Sequence, residues 1–185
     1  MHFTPLIESP PAIQSAVRQL RNQEDVRRFM YTSHEITQSE HDAWLASLVG
    51  NARQSVFVAM LDGVLAGVVS LSAINAAQKT ADWAFYLDAR LQGKGLGSQV
   101  EFWMLDHAFN VAGLEKLNCE VLESNPAVIK MHQKFGFLIE GVRRQNIIKE
   151  GQRIDVVLLG ITKAEWQARR PAIEPLIARL THSNG

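Results

Sequence analysis

The sequence has only one cysteine, Cys119, among its 185 residues, so no intrachain disulfide can form. Such scarcity is typical of proteins from a reducing compartment. Leu117, Cys119 and Val121 alternate with polar residues in a run that is typical of a β-strand. We therefore expect Cys119 to be a packed core thiol rather than a reactive one.

The chain also lacks an excess of either charge, a long apolar run and a secretion signal. Its 19 lysine and arginine residues balance 19 aspartate and glutamate residues, so the overall charge favours neither nucleic acid nor an anionic membrane as a partner. No apolar stretch approaches the roughly 20 residues of a membrane-spanning helix. The first residues lack the basic start and apolar run of a signal peptide. We expect a soluble, cytoplasmic protein.

The order of the predicted elements indicates one α/β domain over residues 1–185. Strands interleave with helices and β-hairpins are also present, so the sheet must be mixed, with about seven strands. The predicted strands are 13–20, 55–60, 64–74, 81–87, 116–122, 137–149 and 153–161. The predicted helices are 25–31, one that opens at 37, 95–112, one from 126 that stops at 136, and a C-terminal helix over 162–181. Residues 1–11 are predicted to be irregular, and Pro171 and Pro175 are predicted to interrupt the last helix.

Local signals fix several of these boundaries. Asp62-Gly63 is typical of the tight turn of a β-hairpin. Thr37 with Glu40, and Thr162 with Glu165, each have the spacing of a capping box, in which the two residues satisfy each other's backbone N–H groups. These patterns predict helices that begin just after Thr37 and Thr162.

A glycine-rich loop follows the fourth predicted strand and opens the next helix. It reads Gln92-Gly93-Lys94-Gly95-Leu96-Gly97. Its glycines let the backbone approach a bulky anion, and Lys94 and the helix N-terminus add positive charge. The spacing is not that of a dinucleotide-binding loop, and a Walker A loop would end in Gly-Lys-Ser/Thr. The loop therefore predicts a pyrophosphate site; a plain flexible connection is the alternative.

A second motif follows the fifth predicted strand. Asn125 precedes a helix that ends in Met131-His132-Gln133-Lys134-Phe135-Gly136-Phe137. Together with the Gln-x-x-Gly-x-Gly loop, this motif resembles the GNAT superfamily of N-acetyltransferases, whose members commonly read Asn…(Leu/Met)-Tyr-x-Lys-x-Gly-Phe here. The order of elements over about residues 13–161 is also similar to that fold. The resemblance implies the GNAT acyl-CoA N-acyltransferase fold, acetyl-CoA as co-substrate and no metal.

The resemblance further implies where acetyl-CoA binds. In this fold the fourth and fifth strands splay apart, and the pantetheine arm lies in the gap. Backbone N–H groups near Tyr86 and Leu87 are then expected to face the thioester carbonyl and stabilise the developing oxyanion. The residues expected to bind acetyl-CoA are Tyr86, Leu87, Gln92, Gly93, Lys94, Gly95, Leu96, Gly97, Ser98, Asn125 and Lys134.

Three residues are candidates for proton transfer, again by resemblance. The family places a tyrosine two residues before the lysine of Lys-x-Gly-Phe, and this chain has His132 there. An imidazole can protonate the departing thiolate, and a helix histidine without a role is the alternative. Glu120 is a candidate base, acting directly or through a water ordered by Ser72; a surface position is its alternative. Glu123 also qualifies by position, on the opposite face of the strand.

Residues 20–45 resemble the PseH family, the UDP-4-amino-4,6-dideoxy-N-acetyl-β-L-altrosamine N-acetyltransferases of pseudaminic acid biosynthesis. The matching elements are Leu-Arg-Asn at 20–22, Val-Arg-Arg-Phe-Met-Tyr at 26–31, and the stretch from Ile36 to Trp44 with His41. The resemblance implies a UDP-linked 4-amino-4,6-dideoxy sugar as the amine acceptor.

A nucleotide sugar offers several groups to this segment. Its pyrophosphate would bind Arg21 or His41, and its uracil would stack upon Tyr31 or Trp44. Met30 would pack against the 6-deoxy methyl group. Core packing is the alternative for Met30 and Trp44, and a structural hydrogen bond is the alternative for His41.

Two other functions stay open at the level of the sequence. Ribosomal-protein or peptide N-terminal acetyltransferases have a similar architecture, but a basic peptide would need an acidic pocket, and this N-terminal segment carries arginines and aromatic residues. A non-catalytic CoA-binding module is favoured by the missing tyrosine at position 132. The sequence names no protein partner, and a homodimer is compatible with it.

Overall fold

The computed structural model of the chain describes residues 1–91 and 94–182. Its strands are β1 His2–Pro5, β2 Ser55–Leu61, β3 Val64–Asn75, β4 Thr80–Leu87, β5 Lys116–Leu122, β6 Leu138–Lys149 and β7 Gln152–Thr162. Its helices are α1 Pro11–Arg21, α2 Glu24–Arg27, α3 Gln38–Leu48, α4 Leu96–Asp106, α5 Pro126–Phe135 and α6 Lys163–His182. A π-helical turn, His107–Val111, continues α4.

The strands are hydrogen-bonded in the order β1-β2-β3-β4-β5-β7-β6. β4 and β5 are parallel, whereas β1 with β2, β2 with β3, β5 with β7 and β6 with β7 are antiparallel. The sheet is therefore mixed and has seven strands, which confirms the predicted fold class.

The chain forms two compact units. One comprises Met1–Ile74 and Trp83–Gln92, and the other comprises Asn75–Asp82 and Gly93–Gly185. β4 therefore contributes to both, its first three residues to the second unit and the rest to the first.

The first unit has a core between its helices and its strands. The six buried residues of this core are Leu6, Val17, Leu48, Val56, Val58 and Val68. Thr37 caps α3 as predicted: its hydroxyl accepts from the Glu40 N–H at 3.2 Å, and the Glu40 carboxylate accepts from the Thr37 N–H at 2.7 Å. The turn at Asp62 and Gly63 has positive φ at both residues, 50° and 80°, which suits the predicted hairpin of β2 and β3.

The strand predicted over residues 13–20 is wrong, because this segment is α1. Ile13, Val17 and Leu20 recur at the spacing of one helix face, and Val17 and Leu20 are buried. Pro11 lies in the first helical turn, where its missing N–H would have had no partner in the helix. The first strand is instead β1, in the segment predicted to be irregular, and it pairs with β2.

In the second unit α6 runs through Pro171 and Pro175 without interruption, contrary to the prediction. A proline inside a helix costs about 3 kcal/mol, so other contacts must hold the helix. The buried side chains of Trp166 and Ile173 face the core of this unit. Asp106 of α4 also accepts from the Trp166 indole at 2.9 Å and from the guanidinium of Arg170 at 2.8 Å. Every helix in the described residues is too short or too polar to span a lipid bilayer.

Candidate active site

The first turn of α4 carries the predicted pyrophosphate loop. Gly95 is its N-cap and lies in the left-handed region, with φ 71° and ψ 12°, which residues with a Cβ atom rarely adopt. The cap makes no side-chain hydrogen bond to the helix end, an arrangement that suits a bound anion. Lys94 is exposed, Leu96 is buried and Ser98 is half-buried. The binding of a pyrophosphate by these residues stays a prediction.

Two of the predicted loop residues, Gln92 and Gly93, lie outside the described residues. Gly97 lies in the first turn of α4, next to the N-cap, and is half-buried. The described part of the loop thus runs from Lys94 onward.

Gly95 is also constrained by the end of α6. A Cβ atom at this position would lie 2.7 Å from Cδ2 and 2.8 Å from Cδ1 of Leu180. Both distances are shorter than side-chain atoms tolerate, so α6 packs directly against the loop. The left-handed backbone therefore favours glycine at this position, and a side chain here would also displace the end of the Leu180 side chain.

The end of β4 carries the backbone of Tyr86 and Leu87, in the first unit. Gly67 of β3 lies against them: a Cβ atom there would be 2.6 Å from the Tyr86 carbonyl oxygen and 2.4 Å from Leu87 Cδ2. The Asp88 N–H donates to the Ala66 carbonyl at 2.9 Å. β3 therefore fixes the position of this backbone through contacts that leave no room for a side chain.

His132 of α5 is part of a buried acid–base pair. The imidazole is 2 % exposed and Glu101 of α4 is 0 % exposed. The His132 Nδ1 atom lies 2.9 Å from Glu101 Oε1, and the ring of Phe137 lies against the imidazole with centroids 5.2 Å apart. Burial raises the pKa of the Glu101 carboxyl, while the charge and the hydrogen bond of His132 act in the opposite direction. His132 is therefore not a surface residue of the helix.

Glu101 is a functional candidate that the sequence reasoning missed. A signal was present, because Glu101 shares a helix face with Leu105 and Ala108, which are both buried. A carboxylate within an apolar stripe is uncommon unless it is paired. Its partner is 31 residues away in the chain, so the sequence pattern gave no indication of the pair itself.

The candidate bases lie on and just after β5. Glu120 is exposed and accepts a hydrogen bond from Arg143 Nη1 of β6. Glu123 Oε1 accepts from the Asp155 N–H at 3.1 Å. Ser72 is half-buried on β3, in the first unit. The predicted alternation along β5 is confirmed, since Cys119 and its apolar neighbours are buried and Glu120 is exposed.

Two further predicted contacts of acetyl-CoA lie at the ends of α5. Asn125 is the N-cap residue, as predicted, but its side chain makes no capping hydrogen bond. Lys134 is exposed, and its carbonyl oxygen accepts from Arg169 Nε of α6 at 2.9 Å. Asn125 thus lies just before the first residue of α5, and Lys134 lies in its last turn.

Arg21, at the end of α1, is the most distinctive residue of the predicted acceptor segment. Its Nη2 atom donates to the Thr32 hydroxyl at 2.7 Å. Its Nη1 atom is buried and has no hydrogen-bond partner among the described residues. Burial lowers the pKa of Arg21, whereas the neighbouring Tyr86 raises it and Arg27 lowers it further. Burial raises the pKa of the Tyr86 phenol, and the charge of Arg21 acts in the opposite direction.

The loop after α2 is tied to α1 by side chains that the sequence reasoning did not single out. Asn22 accepts from the Ile36 N–H at 2.8 Å and donates to the Ile36 carbonyl at 2.9 Å. Arg18 donates to the same carbonyl at 3.3 Å. These bonds hold residues 32–36 close to Arg21.

The other predicted acceptor contacts differ in exposure. Tyr31 is 44 % exposed and Met30 is half-buried. His41 is buried, with its Nε2 atom 2.8 Å from the Gln14 carbonyl and its ring 5.5 Å from that of Trp44. Trp44 packs against the core of the first unit. In this structure His41 and Trp44 therefore have the structural contacts that the sequence left as their alternatives.

Residues 1–91 and 94–182 contain no group of three or more His, Cys, Asp or Glu side chains placed to hold a metal ion.

Known proteins are similar to this chain over most of its length. Spermidine N(1)-acetyltransferase of Escherichia coli K12 is 27 % identical over 152 residues, which is 82 % of each protein. An L-amino acid N-acetyltransferase of the same strain is 24 % identical over 150 residues, 80 % of this chain and 91 % of that protein. The crystal structure of spermidine N-acetyltransferase from Vibrio cholerae with CoA and spermine has the same fold, with a TM-score of 0.82 at 20 % identity, covering 90 % of this chain and 97 % of that one.

The family model for the acetyltransferase (GNAT) family matches residues 16–137, about two thirds of the chain. The matched region includes the loop before α4 and the motif that ends at Phe137. The family match does not distinguish between GNAT subfamilies, so the resemblance of residues 20–45 to the PseH family stays a prediction. The chain belongs to the GNAT family, the enzymes that transfer an acetyl group from acetyl-CoA to an amine.

Proposed function

We propose that this N-acetyltransferase acetylates the 4-amino group of a UDP-linked 4-amino-4,6-dideoxy sugar. The observation that carries the proposal is the buried Nη1 atom of Arg21, which has no hydrogen-bond partner among the described residues. A buried donor without a partner costs free energy, so a ligand that accepts from it gains affinity. A diphosphate is such a ligand, and the planar guanidinium is suited to it.

The charges around Arg21 favour an anionic acceptor. The guanidinium of Arg27 is near enough to affect the pKa of Arg21. Two acids of the same segment have partners: Glu35 lies 3.5 Å from Arg27 Nη2, and Glu40 belongs to the capping box of α3. An acceptor with several positive charges would be repelled by the two arginines, whereas a nucleotide sugar would be attracted.

In the proposed reaction the amine nitrogen attacks the thioester carbonyl carbon, and backbone N–H groups near Tyr86 and Leu87 stabilise the developing oxyanion. Glu120, directly or through a water at Ser72, accepts the proton that the amine loses. His132 donates a proton to the sulfur as the carbon–sulfur bond breaks. Each of these roles is a proposal about residues whose positions are described above.

A polyamine is the second candidate acceptor, because the relatives named above include spermidine acetyltransferases. The two candidates predict opposite effects of charge at position 21. Removing a cation should weaken the binding of a nucleotide sugar and should strengthen the binding of spermidine.

The test is a thiol-release assay with acetyl-CoA and four acceptors: the UDP-linked 4-amino-4,6-dideoxy sugar, spermidine, an L-amino acid and a basic N-terminal peptide. We expect the nucleotide sugar to have the highest kcat/KM. Higher kcat/KM on spermidine would contradict the proposal and favour the polyamine acceptor, and turnover of the peptide alone would favour a peptide N-terminal acetyltransferase.

Variants of Arg21 then locate the binding site. A charge-assisted hydrogen bond to phosphate contributes about 1.5–3 kcal/mol, so Arg21→Ala should raise the KM of the nucleotide sugar about 10- to 100-fold. The KM of acetyl-CoA should stay near the wild-type value. Arg28→Ala is the matched control, because Arg28 is exposed and pairs with Asp25 in the same segment. Thr32→Val removes the hydrogen bond from Arg21 to the loop but keeps the charge of Arg21. It therefore separates the effect of that hydrogen bond from the effect of the charge.

A further inference from the structure

We propose that Glu101 is a positioning residue that holds the His132 imidazole by Nδ1, so that Nε2 is the nitrogen that protonates the leaving thiolate. The inference rests on the proposed role of His132 as the general acid. It adds a partner that neither the loop motif nor the Lys-x-Gly-Phe motif contains.

The geometry defines which nitrogen is used. Glu101 Oε1 lies 2.9 Å from His132 Nδ1, and Nε2 lies on the other side of the ring. Phe137 packs against the imidazole face. With one nitrogen bonded and one face covered, the ring cannot rotate without breaking the hydrogen bond in a site from which water is largely excluded. The tautomer is then fixed by the carboxylate, as it is wherever a carboxylate orients a catalytic imidazole.

The arrangement is costly for packing alone. Both side chains are almost fully buried, and Glu101 Oε2 has no hydrogen-bond partner among the described residues. A buried ion pair generally stabilises a fold less than apolar side chains of the same volume. If this pair served only to fill space, two apolar side chains would stabilise the fold more. The presence of the pair therefore indicates a chemical role.

The proton step balances as follows. A bond forms between the amine nitrogen and the acetyl carbon, the carbon–sulfur bond breaks, and its electron pair stays on sulfur. The Nε2 proton of the imidazolium passes to sulfur and leaves a neutral imidazole that still donates Nδ1–H to Glu101. The amine proton goes to the base, and exchange with solvent restores both groups.

Three other ionisable groups on the packed helices have partners of their own. Asp106 of α4 binds Arg170 of α6, and Arg169 of α6 donates to the Lys134 carbonyl of α5. Glu101 Oε1 is the carboxylate oxygen placed at hydrogen-bond distance from His132 Nδ1. A change of this carboxylate should therefore alter how the imidazole is held.

The first test does not depend on turnover. Nuclear magnetic resonance of wild-type protein with ¹⁵N-labelled histidine, assigned by comparison with His132→Gln, reports which ring nitrogen carries the proton. We expect the neutral imidazole of His132 to carry its proton on Nδ1. A neutral ring protonated at Nε2 at high pH would overturn the inference, because Glu101 would then accept no hydrogen bond from Nδ1.

The second test is a double-mutant cycle of Glu101→Gln and His132→Ala, measured as single-turnover thiol release with the acceptor that the enzyme turns over best. Glu101→Gln keeps the volume and a hydrogen-bond acceptor. It should lower the rate about 10²-fold in the wild-type background and by less than about 2-fold in His132→Ala, because the pair acts as a unit. The dissociation constant of acetyl-CoA should not change.

Glu115→Gln is the matched control, since Glu115 is an exposed carboxylate that binds Lys79 far from any proposed role. Equal losses from Glu101→Gln in both backgrounds, or wild-type rate in the single variant, would overturn the positioning role. If the nucleotide sugar is not a substrate but spermidine is, the cycle is run with spermidine. That result would refute the nucleotide sugar as the acceptor, and the cycle with spermidine would still test the role of Glu101.

Discussion

Gly67→Ala is expected to impair the enzyme through the backbone of β4. The added Cβ atom would lie 2.6 Å from the Tyr86 carbonyl oxygen, 0.8 Å short of the 3.4 Å at which ordinary contact begins. The Leu87 side chain can rotate away, but the carbonyl oxygen moves only if the strand moves. Overpacking of this kind costs about 1–3 kcal/mol, and a shift of about 1 Å at reacting groups can lower the rate about 10²-fold.

The assay combines urea unfolding with kcat/KM for thiol release. Gly141→Ala is the matched control, because a Cβ atom there would lie 3.8 Å from Leu158 Cδ1, in ordinary contact. The control should be as stable as the wild type or gain up to about 1 kcal/mol from the lower entropy of its unfolded chain. Wild-type stability and activity in Gly67→Ala would refute the reasoning, since the strand would then have absorbed the clash without moving the Tyr86 backbone.

Three further predictions concern the loop and the buried pair. Lys94→Ala should raise the dissociation constant of CoA in calorimetry about tenfold at low salt and less at high salt, whereas Lys130→Ala, on the exposed face of α5, should not. His132→Ala should lose about 10²–10⁴-fold in single-turnover rate with unchanged affinity for acetyl-CoA, and His132→Tyr should restore much of it. Because burial raises the pKa of Glu101 above its usual 4.5, the folded protein keeps that proton at pH values just above 4.5, where the unfolded chain has lost it, and ionises only at higher pH. The free energy of unfolding of the wild type should therefore fall relative to Glu101→Gln as pH rises above 4.5, and parallel curves would contradict this.

Elements with local signals were predictable from the sequence. β5 was predicted with its observed bounds, Lys116–Leu122, because apolar and polar residues alternate along it. α5 was predicted from the cap position of Asn125 and the glycine that ends it. The family match confirms the superfamily that the loop and this helix indicated, and it favours the catalytic interpretation over a non-catalytic CoA-binding module.

Elements that depend on tertiary contacts were not predictable in this way. Helical propensity argues against α6 beyond Pro171, yet Asp106 and the buried Trp166 hold the helix in place. A strand was predicted in place of α1 because the small residues between Ile13 and Leu20 obscure the helical spacing of its apolar residues. The same limit applies to the site. Tyr86, at the end of β4, affects the pKa of Arg21, and the two residues are far apart in the sequence.

The Leu180 side chain fills the space beside Gly95, so the last turn of α6 would take part in the energetics of a ligand bound at this loop. With acetyl-CoA bound at this loop, any change that loosens that turn alters the conformations open to Gly95, and therefore the affinity. Linkage is reciprocal, so acetyl-CoA should stabilise the docked helix end by the same free energy. A larger residue at position 95 would displace the end of the Leu180 side chain, and the left-handed backbone at Gly95 would oppose it as well. Two positions distant in the sequence thus influence the same loop.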